Sequence, residues 1–121
     1  MTIKVVATSQ YLLKESDPSV NRYVFSYTIQ IHNQGELSAQ LLSRHWIITD
    51  ANGSVEEVRG EGVVGEQPVI EPGQHFEYTS FAILKTPVGS MHGGYQLIDS
   101  NEVHFEAPIS PFRLAIPQLL N

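Results

Sequence analysis

Apolar residues recur at every second position along this chain, not at every third or fourth. Tyr23, Phe25, Tyr27, Ile29 and Ile31 alternate with Val24, Ser26, Thr28, Gln30 and His32. Successive strand side chains point to opposite faces, so this segment places five large apolar residues on one face. Asn33-Gln34-Gly35 ends it with turn chemistry. Before it, Ile3 to Leu13 reads as a strand and Ser16-Asp17-Pro18-Ser19 as a loop. After it, Leu41 to Thr49 reads as a strand around Trp46, with apolar residues on both faces. Asp50-Ala51-Asn52-Gly53 is a turn, with Asn52-Gly53 suited to positive φ, and Val55 and Val58 suggest a short return strand.

Further strands are expected over Phe76 to Leu84, Met91 to Ile98 and Val103 to Ile109. Phe112, Leu114 and Ile116 continue the alternation to Pro117. No long window carries a helical stripe. Seven or eight strands separated by turn signals predict an all-β fold, an antiparallel β-sandwich. Pro108, Pro111 and Pro117 fit an edge strand, because proline cannot donate to an interior ladder. Trp46 is expected between the sheets. Phe81 lies opposite in phase to Phe76 and Tyr78, so one set faces water or a partner.

The 121 residues fit one domain, residues 1–121, large enough for a core without staples. With no cysteine there is no disulfide framework and no thiolate chemistry, which fits a reducing compartment. The start of the chain shows no signal-peptide pattern, and no stretch has the roughly 20 apolar residues of a membrane helix. The net charge is −6, and the seven basic residues are scattered singly. That argues against nucleic acid as the partner.

One motif stands out. Gly60, Gly62 and Gly65 spell G-x-G-x-x-G, a pattern that elsewhere cradles phosphates between a strand and a helix. Here Pro68 and Pro72 oppose a following helix. Glu56, Glu57, Glu61, Glu66 and Glu71 surround the loop, with Arg59 the only local cation. An anion would need a divalent metal to accompany it. The simpler reading is a chain crossing from one sheet to the other, with glycines for bends.

The remaining candidates are weaker. His32, His45, His75, His92 and His104 have no spacing that presents two imidazoles locally to one metal, though the fold could bring them together. The glutamates lack the dense spacing of a calcium loop. Gly89-Ser90-Met91-His92-Gly93 is not a nucleophile elbow, which in any case needs a strand-to-helix turn.

Several blocks carry a family resemblance. Arg22-Tyr23-Val24-Phe25 with Tyr27-Thr28, then Leu41 through Asp50, then Val58 through Pro68, resemble the bacterial ApaG proteins. So do Tyr78-Thr79-Ser80, Thr86-Pro87 with Gly89, Met91, Gly93 and Tyr95, and Pro111 through Pro117. Two positions depart from the family's pattern: Phe81 stands where glycine is usual, and Leu97 where methionine is common. The resemblance implies a fibronectin type III-like sandwich of the immunoglobulin-like class and a cytoplasmic protein. It also implies an association with cobalt resistance and magnesium efflux under the alternative name CorD, and it supplies no catalytic residues.

These readings together lead to a non-enzymatic module that binds another protein and takes no cofactor, metal, nucleic acid or membrane. A weak homodimer is the other assembly considered. The alternative is a nucleotide or pyrophosphate–metal complex held by Arg59, Gly60, Gly62 and Gly65.

Overall fold

The computed structural model describes residues 2–119. Eight strands succeed one another: β1 (Ile3–Tyr11), β2 (Tyr23–Asn33), β3 (Ala39–Asp50), β4 (Val55–Glu61), β5 (Val69–Ile70), β6 (His75–Leu84), β7 (Val88–Asp99) and β8 (His104–Ala115). They form two antiparallel sheets, ordered β1-β2-β6 and β4-β3-β7-β8, with β5 pairing β3 beside β4. This is the sandwich the period-two pattern predicts. The inward residues of both sheets meet around Trp46, which is 2% exposed. Its ring packs edge-on against Tyr27, Tyr95 and Phe112, with centroids 5.3, 6.3 and 5.9 Å away. Such edge-to-face contacts suit the ring quadrupoles and add to the stabilisation from burial.

Three local expectations are corrected, at the end of β1, in the β3–β4 turn and along β8, whereas the return strand expected from Val55 and Val58 is β4 itself. β1 stops at Tyr11, and Leu13–Glu15 forms a 3-10 turn. The Leu12 N–H donates to Val24 O, and Ser16 Oγ donates to Leu12 O and accepts from Val24 N–H. These bonds fold the segment back onto β2. Val55 and Val58 lie three apart and so on opposite faces: Val58 packs on the core and Val55 is exposed. Gly53 takes φ +82° in the β3–β4 turn, while Asn52 keeps a negative φ. The two apolar runs at the end form one strand, β8. Its register against β7 shifts between Met91–Phe112 and Gly93–Ile109, placing an extra residue at Ser110-Pro111.

β8 is an edge strand, as Pro108 and Pro111 require, whereas Pro117 begins a 3-10 turn beyond it. The glycine segment does not cross between sheets. β4 and β5 both pair with β3, so the chain leaves and returns to the same strand edge. It changes sheets only after β5, on the way to β6.

The outer strands leave the sandwich asymmetric. On one side β1 and β8 approach, and Ser9 Oγ donates to Arg113 O at 2.9 Å. On the other side the end strands β6 and β4 face each other, with no strand between them among the described residues.

Candidate functional site

Gly60 lies on β4, paired with Arg44 of β3, whereas Gly62 and Gly65 lie in a short hairpin fastened to a bulge in β3. The bulge is at Leu42, where the β3–β7 register shifts. The Leu42 carbonyl accepts from Gly62 N–H at 2.8 Å and from Gln67 Nε2 at 2.9 Å. Val63 and Glu66 exchange two backbone hydrogen bonds, closing a two-residue turn at Val64-Gly65. Val64 and Gly65 both have positive φ, +43° and +81°, as such a tight turn demands. Val63 is thereby pressed into the core. At Gly62, φ is +62°, and a Cβ would stand 2.2 Å from Glu66 O.

The amides of Gly62, Val63 and Glu66 therefore already donate to internal carbonyls. A phosphate cradle needs such groups free and needs a helix behind them. The next element after Gly65 is instead the two-residue strand β5. Arg59 does not turn toward the glycines. Its Nη2 lies 3.1 Å from Glu57 Oε2, which also meets His45 Nε2 at 2.5 Å on the outer face of the larger sheet. The hydrogen bond from His45, then the charge of Arg59, hold the Glu57 carboxyl below its ordinary pKa.

Arg44 is the residue that sequence reasoning missed. It sits two positions before Trp46 and so shares the inward phase of β3. Its guanidinium crosses Gly60 and donates from Nη1 to Glu61 O and Gly62 O, both at 2.9 Å. A Cβ on Gly60 would come within 2.7 Å of Nη2. Gly60 is thus the seat of an arginine. Among the described residues no carboxylate lies within ion-pair distance of Arg44.

The histidines meet in one pair. His32 and His75 are cross-strand neighbours whose rings stack with centroids 4.8 Å apart. Gln30 bonds to His32 and to Glu77 beside them. No group of three or more His, Asp or Glu side chains among the described residues is arranged to hold a metal. Ser90 and His92 lie within β7, without an elbow.

The open side between β4 and β6 is the other candidate. Tyr27, Arg44, Trp46, Val58, Ser80 and Ala82 line a groove of about 400 Å³ there. It continues past Ile48 and Glu56 into a second depression of about 270 Å³ near Asp50 and Lys85. The phase of β6 explains the rim. Tyr78, Ala82 and Leu84 point inward and are buried, whereas Phe81 and Ile83 point out and are 64% and 53% exposed. A wider concavity of about 690 Å³ lies at the opposite end of the sandwich, between Leu37, Val103 and Phe105. Asn33 beside it has its amide and carbonyl engaged internally.

Comparison with known proteins identifies the chain's relatives. The ApaG domain model matches residues 13–99. The chain belongs to the ApaG family. Protein ApaG of Thiobacillus denitrificans is 53% identical over 119 residues, covering 98% of this chain and 94% of the relative. Protein ApaG of Methylococcus capsulatus is 55% identical over the same length and coverage. A crystal structure of a Bordetella pertussis protein named ApaA superposes with a TM-score of 0.94 at 51% identity, covering 96% of this chain and 94% of that one. The resemblance carried by the sequence blocks is thus a family relationship across nearly the whole chain. No helix among the described residues is long and apolar enough to cross a membrane.

Proposed function

We propose that this ApaG-family chain is a non-enzymatic module that binds another protein through the open side between β4 and β6. The observation that carries the reading is the exposed pair Phe81 and Ile83 on a strand whose far edge has no neighbouring strand among the described residues. An end strand with free backbone groups is a template for an added strand unless it is blunted by charge, proline or a cover. From Thr79 to Leu84, β6 carries no charge and no proline. Exposed apolar side chains beside a groove are a common mark of partner surfaces.

In this reading the protein works in the cytoplasm, and any effect on cobalt or magnesium efflux passes through the partner. The test is capture from a lysate with the wild type and with Phe81→Ser/Ile83→Ser, which removes the exposed apolar pair but leaves the core side of β6 intact. A partner retained by the wild type and lost by the double variant supports the reading. A partner retained equally by both, or lost equally from Leu37→Ser/Val103→Ser at the far end, overturns it.

A further inference from the structure

We infer that the segment received by this groove is an extended stretch of a partner protein, laid antiparallel to β6, with an acidic side chain that pairs with Arg44. The inference rests on the docking reading above and adds the chemistry of the occupant.

The guanidinium of Arg44 is always charged and carries five donors in a rigid fork. Among the described residues only Nη1 is engaged, and its two acceptors are neutral backbone carbonyls. The side chain is half-buried. A charge withdrawn from water without a counter-charge is unfavourable, and a carboxylate is the partner whose geometry the fork matches. The chain has 13 acidic residues against seven basic ones, yet among the described residues it places none against Arg44. Glu56 faces the same groove but stays outside ion-pair distance. The counter-charge is therefore left for an incoming group.

Direction comes from topology. Along the groove, Arg44, Trp46, Ile48 and Asp50 of β3 run the same way as Ser80, Ala82 and Leu84 of β6. A strand added antiparallel to β6, the more stable pairing, runs from the Lys85 end toward Arg44. Its groove-facing residues come every second position, about 6.8 Å apart. The first of these meet Ile48, Trp46 and Ala82, and the last meets Arg44. The expected pattern is apolar-x-apolar-x-acidic, with the acid on the C-terminal side.

A second copy of the chain does not supply this pattern through β6. The residues of β6 with the inward phase are Phe76, Tyr78, Ser80, Ala82 and Leu84, none acidic, and Tyr78, Ala82 and Leu84 are buried in their own core. Edge-to-edge pairing of two β6 strands therefore offers Arg44 no acid.

The test is selection of a displayed random-peptide library on the folded wild-type chain, then amide NMR mapping of the winners on isotope-labelled protein. The expected winners carry Asp or Glu after two alternating apolar residues, shift the amides of Ser80 to Ile83, and bind about tenfold more weakly to Arg44→Gln. Replacing the peptide's acid by its amide should give a similar loss on wild-type protein, which excludes misfolding of the variant as the cause. Winners that shift Ser80 to Ile83 without an acidic preference, and bind Arg44→Gln equally, overturn the Arg44 assignment and leave the docking reading standing. Winners that map elsewhere, or no enrichment, overturn both. Loss of peptide binding on adding inorganic phosphate supports a site for an anionic group. Saturable binding of phosphate, with no acidic peptide selected, overturns the peptide assignment in favour of a small anion.

Discussion

Arg44 and Gly60 occupy one space: the guanidinium lies where a side chain on Gly60 would stand, within 2.7 Å of its Cβ position. The first glycine of the motif is thus explained by a neighbour on β3 and the second by the backbone of its own turn. The two should respond differently to alanine. At Gly60 the obstacle is the end of a flexible side chain, so Gly60→Ala displaces Arg44 and costs about 1 kcal/mol in lost hydrogen bonds. At Gly62 the obstacle is the Glu66 carbonyl and φ is +62°, so the strain cannot be relieved by a rotamer. Gly62→Ala should cost roughly 3 kcal/mol. Urea midpoints of the two variants check the order, and equal losses would contradict it.

Val64 holds φ +43° in the turn, an unfavourable place for a β-branched residue, and it is exposed. Val64→Asn should keep the turn and remove strain, raising stability by about 1 kcal/mol. A thermal melt that shows no gain would mean that neighbours over-determine the turn.

How much of the fold is legible in the sequence shows in particular residues. The alternation from Tyr23 to Ile31 names the inward face of β2 correctly, because a strand buried on one face writes its period into the sequence. Phe81 is out of phase with Tyr78, and its exposure comes from that phase alone. Arg44 carries the same signal through its spacing from Trp46. A single arginine on a strand reads as solvated, however, until the neighbouring strand supplies a glycine beneath it. The pairing of His32 with His75 and the open side between β4 and β6 depend on which strands neighbour one another across long separations. No local pattern encodes that order. The bulge at Leu42, which anchors the glycine hairpin, lies inside an apolar run with no turn residue to mark it.

The hydroxyls of Tyr78 and Tyr95 meet inside the core. Burial pushes both pKa values well up from the ordinary tyrosine range; the bond between the two hydroxyls adds to the rise at Tyr95 and opposes it at Tyr78. The folded state therefore holds these protons more tightly than the unfolded chain. By linkage, stability is fully present below the unfolded pKa of about 10 and falls as pH rises above it. The urea midpoint should be flat with respect to these groups from about pH 8 to pH 10 and decline beyond, and Tyr78→Phe/Tyr95→Phe should flatten that decline. A double variant with an unchanged alkaline slope would contradict the assignment.

The glycine hairpin should not respond to small anions. With the Gly62, Val63 and Glu66 amides already donating internally, magnesium or cobalt and then pyrophosphate should leave the amide resonances of Gly60, Gly62 and Gly65 in place. Saturable shifts confined to those three would instead favour a nucleotide or pyrophosphate–metal ligand there.

The most direct measurement is photo-cross-linking in cells, with a photo-activatable residue at position 81 and, as a control, at position 103. Both positions are exposed and lie on different parts of the sandwich. Docking along β6 predicts a discrete adduct with one partner protein from position 81 and none of that adduct from position 103. No adduct from position 81, or the same adducts from both, would contradict it.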